Sequence, residues 1–253
     1  MIEPNTLHHG DCLDVMKQIK DKSIDLVLCD LPYNALNKRN EWDKIIPFEP
    51  LWEHYKRIVK QNGAIILFGQ GLFSAKLIMS QPKMFRYNLV WDKKLKSGFL
   101  NANRMPLRQH EDIIVFYKKM PTYNPQMIKS EPHKRSHVGK HAQPTNNCYG
   151  NYKPTPEIIS DEKFPSSIIS FKKEHFKGKS YHPTEKPVDL LRYLIRTYTN
   201  KGDIVLDNCM GSGSTIIAAI MENRQYIGIE KELKYFDIAK CRVENELSQL
   251  KLF

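Results

Sequence analysis

The stretch Asp203–Lys231, "DIVLDNCMGSGSTIIAAIMENRQYIGIEK", decides the fold. An apolar run, "DIVLDNC", leads into a glycine-rich turn, "MGSGST". A helical segment, "TIIAAIMENR", follows, and a second apolar run, "QYIGIEK", closes the stretch. That is the pattern of a βαβ unit. Glycines at the turn permit a tight backbone and close approach of a ligand, and the amides of the helix N-terminus face it. A GxG turn by itself also serves purely structural ends. Here Glu230 ends the second strand, where a carboxylate can accept hydrogen bonds from ribose hydroxyls.

The residues of this turn narrow the ligand. No lysine follows the glycines, so a phosphate-cradling loop is disfavoured. Thr215 and Ile216 stand where a dinucleotide fingerprint has its third glycine. Asp207, just before the turn, would repel a pyrophosphate but suits a cation. A sulfonium carrying an α-amino group and a ribose fits this set, which points to S-adenosylmethionine.

Outward from this unit, apolar runs alternate with amphipathic segments. Strands are predicted at Ile24–Asp30 and Gly63–Gly69, within "YNLVWDK" (87–93), and within "EDIIVFYKK" (111–119). Helices are predicted at Phe48–Lys60, Pro187–Thr199 and Glu232–Leu250. The expected architecture is α/β: a Rossmann-like fold with a mixed, mainly parallel sheet flanked by helices. Residues 121–180 differ, being rich in Pro, Asn, His and Lys, with ten Lys and Arg against five Asp and Glu. They read as an inserted basic segment between a first half, 1–120, and a second half, 181–253.

The 253 residues and 41% apolar composition suffice for one domain with a large insertion. A net charge of +11 points to a polyanionic partner, most simply nucleic acid. The five cysteines are scattered without a CxxC pair, so neither a disulfide framework nor a metal site is expected. The start, "MIEPNTLHHGD", has no basic n-region followed by an apolar run, and no apolar run approaches a membrane span. A cytoplasmic, non-membrane protein is expected.

A second turn carries chemistry. In "LVLCDLPYNALNKRNEWDK" (26–44) a buried-strand pattern runs into Asp30, Leu31, Pro32 and Tyr33. Asp, Pro and Asn all favour turns, so a simple exit from a sheet is one reading; an active site at a strand's carboxyl end is the other.

Four motifs then carry a family resemblance. "DNCMGSGST" resembles the methionine-binding glycine motif of amino DNA methyltransferases, DPFxGSGTT. "LCDLPYN" is similar to their catalytic tetrapeptide, DPPY, in a DLPY variant. "YHPTEKP" (181–187) resembles HPTxKP, and "HGDCLDVM" (9–16) resembles GDCLxxL. The order, with catalysis first, the variable segment next and the cofactor turn last, is that of the circularly permuted β group. The resemblance fades in the middle segment, which would then be the target-recognition insertion.

The resemblance implies S-adenosylmethionine-dependent methylation of an exocyclic amino group in double-stranded DNA, in a bacterial or phage modification system. Asp30 and the Leu31 carbonyl would accept the amino hydrogens, with Pro32 stiffening the turn and Tyr33 stacking the flipped base. Asp11, Cys12 and Glu230 would hold the adenosine. His182, Thr184, Lys186, Asp207, Cys209, Gly211, Ser212, Gly213, Ser214 and Thr215, with Asp30, would surround the rest of the cofactor. Phe68 and Gly69 are candidates for a pocket wall, with a core role equally open for Phe68.

An aspartate at the first position favours adenine N6 as the target, with cytosine N4 the alternative. No metal is implied, and a homodimer is in keeping with the group. Candidates for DNA contact are Lys38, Arg39 and Lys44 after the catalytic turn. Lys94, Lys96, Arg104 and Arg108 lie in "KLKSGFLNANRMPLRQHED", and Lys134, Arg135 and Lys140 in "HKRSHVGKH". A nicotinamide-dependent oxidoreductase would share the βαβ unit but leave the DLPY turn unexplained. A non-catalytic DNA-binding protein would explain only the charge.

Overall fold

The computed structural model describes residues 1–33, 44–134, 145–146, 150–151, 158–172 and 185–250. The chain divides into two compact units, Met1–Asn124 with Ser167–Phe253, and Pro125–Ser166.

The large unit is built on an eight-stranded sheet. Its strands are β1 (Thr6–His9), β2 (Ile24–Cys29), β3 (Val59–Gly69), β4 (Phe85–Ser97), β5 (Arg108–Phe116), β10 (Ile168–Ser170), β11 (Ile204–Asp207) and β12 (Gln225–Glu230). The spatial order is β1-β12-β11-β2-β3-β5-β4-β10. Only β5 runs against its neighbours; the other pairings are parallel. The expected α/β fold with a mainly parallel sheet is therefore observed.

Helices α1 (Cys12–Val15), α2 (Phe48–Ile58) and α3 (Leu72–Ser80) contribute to one core; α4 (Val188–Tyr198), α5 (Ser214–Met221) and α6 (Leu233–Leu250) contribute to the other. Strand β2 shows why two cores form. Leu26 and Leu28 join the α4–α5 core, while Val27 and Cys29 join the α2–α3 core; Ile24, separated from Leu26 by a register irregularity, also joins the latter. Alternate side chains of a strand point to opposite faces, and both faces here are apolar.

Helix α2 ends earlier than the apolar spacing predicts. Val59 takes extended backbone (φ −78, ψ 134) and pairs with Ile24, so Val59 and Lys60 belong to β3. A β-branched residue beside a partner strand favours the sheet over a further helical turn. β1 and α3 were not anticipated: β1 is short and half polar, and α3 has an apolar distribution without a clear stripe.

The small unit contains the antiparallel pair β6 (Ile128–Lys134) and β9 (Ile159–Lys163), and the short pair β7 (Thr145–Asn146) and β8 (Gly150–Asn151). It lies inside the expected 121–180 span, and the apolar "SSIISF" beyond it supplies β10 to the main sheet.

Candidate active site

Strands β2 and β11 are neighbours, paired Val205 to Leu26 and Leu206 to Val27. From β2 the chain crosses through α2 to β3 on one side. From β11 it crosses through α5 to β12 on the other. Such a reversal leaves a crevice outside the strands' carboxyl ends, where ligands bind in open α/β sheets. A cavity of about 580 Å³ occupies that place. It is lined by Gly10–Leu13 after β1, Asp30–Tyr33 after β2, Asp207–Ser212 after β11 and Glu230–Glu232 after β12.

At the β11 and β12 ends the groups are set by backbone. Glu230 accepts from Gly211 N and Glu232 N, both at 2.8 Å, and its own carbonyl accepts from Gly10 N at 2.9 Å. Burial pushes this carboxyl up, and the amides oppose that. Each oxygen keeps a lone pair for a further donor. Asp207, 3% exposed, accepts from Cys209 N at 3.1 Å. Burial pushes its carboxyl up to about 6. Gly213 has φ +84, and a Cβ there would stand 3.0 Å from Ala239 on α6, so the turn needs glycine for both conformation and space.

The turn is also tied from outside. Ser214 Oγ donates to Glu185 at 2.7 Å, and Arg242 of α6 pairs with Glu185 at 2.9 Å while donating to the Ser212 carbonyl at 2.7 Å. Asp11 caps α1 through Leu13 N at 3.0 Å and pairs with Lys231 at 3.1 Å. The thiols of Cys12 and Cys29 neighbour that of Cys209. For Cys12 the hydrogen bond with Cys209 and then burial raise the thiol, and burial raises Cys29 to about 12, so these thiols stay protonated.

At the β2 end Asp30 sits between two donors. Tyr33 OH donates to Oδ1 at 2.5 Å, and Lys186 Nζ to Oδ2 at 2.5 Å. Tyr33 stacks on Phe73, centroids 4.6 Å apart. Burial, then the Asp30 carboxylate, holds its phenol protonated and hence a donor. Lys186 also lies 3.3 Å from Glu111, which in turn pairs with Lys93 at 3.1 Å. Burial alone would lower the Lys186 ammonium, but Asp30 and Glu111 raise it. Burial would likewise raise Glu111, yet Lys186 and Lys93 hold it below the usual range. The result is a buried row of alternating charge, Asp30–Lys186–Glu111–Lys93.

The structure thus brings Asp11, Cys12, Asp30, Leu31, Pro32, Tyr33, Lys186, Asp207, Cys209, Gly211, Ser212, Ser214, Thr215 and Glu230 to one cavity; Lys44 lines it too. Gly213 shapes the turn without lining the cavity. Neither Phe68 nor Gly69 forms a wall: Phe68 is core, packed on Trp91, with Lys186 Nζ 5.0 Å above its ring. A Cβ at Gly69 would meet Ser74 Oγ at 2.7 Å. The next residue, Gln70, lines the cavity instead.

Lys94, Lys96, Arg104 and Arg108 lie on the β4–β5 hairpin, and Lys134 ends β6 in the small unit. His182, Thr184, Lys38, Arg39, Arg135 and Lys140 lie outside the described residues. Sequence reasoning missed Glu111, Lys93, Glu185 and Arg242. Glu185 stands inside the quoted segment "YHPTEKP" without an assigned role; the others carry no local signal.

A family model described as DNA methylase matches residues 24–241. Type II methyltransferase M1.MboII of Moraxella bovis is 28% identical over 94% of this chain and 96% of its own length. DNA adenine methyltransferase YhdJ of Escherichia coli K12 is 27% identical over 96% of this chain and 83% of its own. Among solved structures, M1.HpyAVI in complex with SAM superposes with a TM-score of 0.63 at 23% identity, covering 94% of this chain and 98% of that one. Given a family match over most of its length, the chain belongs to the amino DNA methyltransferase family, whose members modify adenine N6 or cytosine N4.

Proposed function

We propose that the protein transfers a methyl group to the N6 amino group of adenine in double-stranded DNA, with Asp30, Leu31, Pro32 and Tyr33 as its catalytic turn. The observation that carries this reading is the position of Asp30. Its carboxylate lines the same cavity as Asp207 and Glu230, at the end of the strand next to β11.

The cofactor is S-adenosylmethionine, whose electrophilic methyl is the group transferred. The residues suit it. A buried Asp207 matches a cationic ligand, Glu230 keeps acceptor capacity for ribose hydroxyls, and 580 Å³ lies within the usual range for ligand pockets. Glu230, Asp11 and Cys12 hold the adenosine end, while Asp207 and the 211–215 turn hold the methionine end.

An exocyclic amino nitrogen is a poor nucleophile because its lone pair is delocalised into the ring. Two acceptors aimed at its hydrogens draw it toward tetrahedral geometry and stabilise the positive charge that develops. The Asp30 carboxylate and the Leu31 carbonyl are those acceptors. Lys186 and Tyr33 keep the carboxylate oriented, and each oxygen retains a lone pair for the amine. Tyr33, already stacked on Phe73, is the flat surface for a base turned out of the duplex.

Adenine is favoured by aspartate at the first position of the turn, and by the adenine methyltransferase among the relatives. Mass analysis of nucleosides from DNA incubated with the protein and cofactor tests this. N6-methyladenine is expected. N4-methylcytosine without methyladenine would assign the alternative base.

A further inference from the structure

Strands β4 and β5 run past the end of the sheet on the cavity side. The last β3–β5 pair is Gly69 with Asp112, yet β4 and β5 stay paired to Ser97 and Arg108. Arg108 stands four residues beyond Asp112 on β5, roughly 13 Å of projection, and β4 is irregular between Asp92 and Ser97. The foot of this hairpin belongs to the cavity: Trp91, Glu111 and Gln70 line it. Gln70 fixes the hairpin there, donating to the His110 carbonyl and accepting from Arg108, each at 3.1 Å.

The tip is built unlike an ordinary turn. Gly98, at φ +91, leads into a short 3-10 turn, Phe99–Asn101. Phe99 is 68% exposed, Leu100 fully exposed, and Met105 51% exposed. The hairpin that carries them also bears Lys94, Lys96, Arg104 and Arg108, with Lys93 buried at its foot, and no Asp or Glu occurs between Asp92 and Glu111. Lys94 is partly neutralised by Asp92 at 2.7 Å, and Lys93 by Glu111. Lys96, Arg104 and Arg108 remain to face a polyanion.

Apolar side chains at a cationic tip suit a ligand with a charged rim and an apolar interior. Duplex DNA has that form, with phosphates outside and stacked bases inside. A base drawn into the cavity leaves a gap in the stack within reach of this hairpin. We infer that the Phe99–Leu100 tip is a wedge that enters the base stack beside the target, while Lys96 and Arg104 hold the flanking phosphates. This rests on the DNA-methylation reading above.

The test uses the whole protein and a duplex containing the motif found by methylation-sensitive sequencing of DNA from cells expressing it. F99A/L100A is compared with wild type on the matched duplex, on a duplex mispaired at the target base, and on the single strand. The double variant should lose about tenfold or more in kcat/KM on the matched duplex. Most activity should return on the mispaired duplex and single strand, where less unstacking is required, and cofactor affinity should not change.

Undiminished activity on the matched duplex overturns the wedge, as does an equal loss on all three substrates. Oligomer dissociation by F99A/L100A with matched-duplex activity intact would instead assign the tip to a second copy. Wild-type protein that methylates none of the three refutes the underlying reading, and the wedge with it.

Discussion

Lys186 Nζ lies 2.5 Å from Asp30 Oδ2, joining two sequence motifs 156 residues apart. The ammonium is also 3.3 Å from Glu111, so it serves two carboxylates at once. A buried cation shared in this way costs desolvation that its partners must offset. It fixes the Asp30 carboxylate, which also takes the Tyr33 hydroxyl, in one orientation.

The simplest consequence concerns Asp30 itself. Asp30→Ala removes one of the two proposed acceptors for the amino hydrogens and leaves Asp207 and Glu230 in place. Transfer should fall by about 10²-fold or more, while S-adenosylmethionine still binds. Calorimetric titration beside a methyl-transfer assay checks both. Near-normal transfer by the variant would remove Asp30 from the mechanism.

The row of charge can be dissected. Lys186→Met leaves Asp30 and Glu111 facing each other without their shared cation, and should cost roughly 3–5 kcal/mol in urea unfolding. Glu111→Gln in the same chain removes one of the two carboxylate charges, so the double variant should be less unstable than the two single losses summed. Additive losses in this cycle would mean that the groups do not interact.

Asp207 makes the site sensitive to pH. Its carboxyl is pushed up to about 6 in the folded protein by burial. The folded state therefore binds this proton more tightly than the unfolded chain does. The stability it contributes is complete below about pH 4 and is lost as pH rises through 6, by about 3 kcal/mol. Asp207→Asn should accordingly be more stable than wild type at pH 8, with the difference vanishing near pH 4. Cofactor binding has the opposite sign, because the cationic ligand needs the ionised carboxylate. Wild-type affinity should fall about tenfold from pH 7 to pH 5, and that of the variant should be low and flat. A flat wild-type profile would sink the assignment.

What could be read from the sequence was what local pattern encodes. The βαβ unit around Gly211 and Gly213 was legible because strand period, glycine turn and helix follow one another without interruption. Asp30 was legible because a strand ends on it. Glu111 was not: it sits in the polar half of β5 between His110 and Asp112, and its meaning depends on Lys186 arriving from a remote segment. Arg242 was hidden in the same way, since its tie to Ser212 and Glu185 depends on how α6 crosses the turn. The helix-to-strand change at Val59 was misread because the apolar face of α2 passes without a polar break into β3.

Leu31 separates backbone chemistry from packing. The position is proline in the motif DPPY, and its proposed role uses only the main-chain carbonyl. The side chain nevertheless is 3% exposed and belongs to the core that holds Leu51, Phe73 and Leu77. Leu31→Ala keeps the carbonyl and Pro32 but empties that space. Stability should drop by about 2–4 kcal/mol, while transfer per folded molecule stays within a few-fold of wild type at a temperature where both are folded. Thermal unfolding beside single-turnover methylation distinguishes the two effects. A large loss in single-turnover rate without loss of stability would mean that the side chain itself, and not the carbonyl, sets the geometry of the turn.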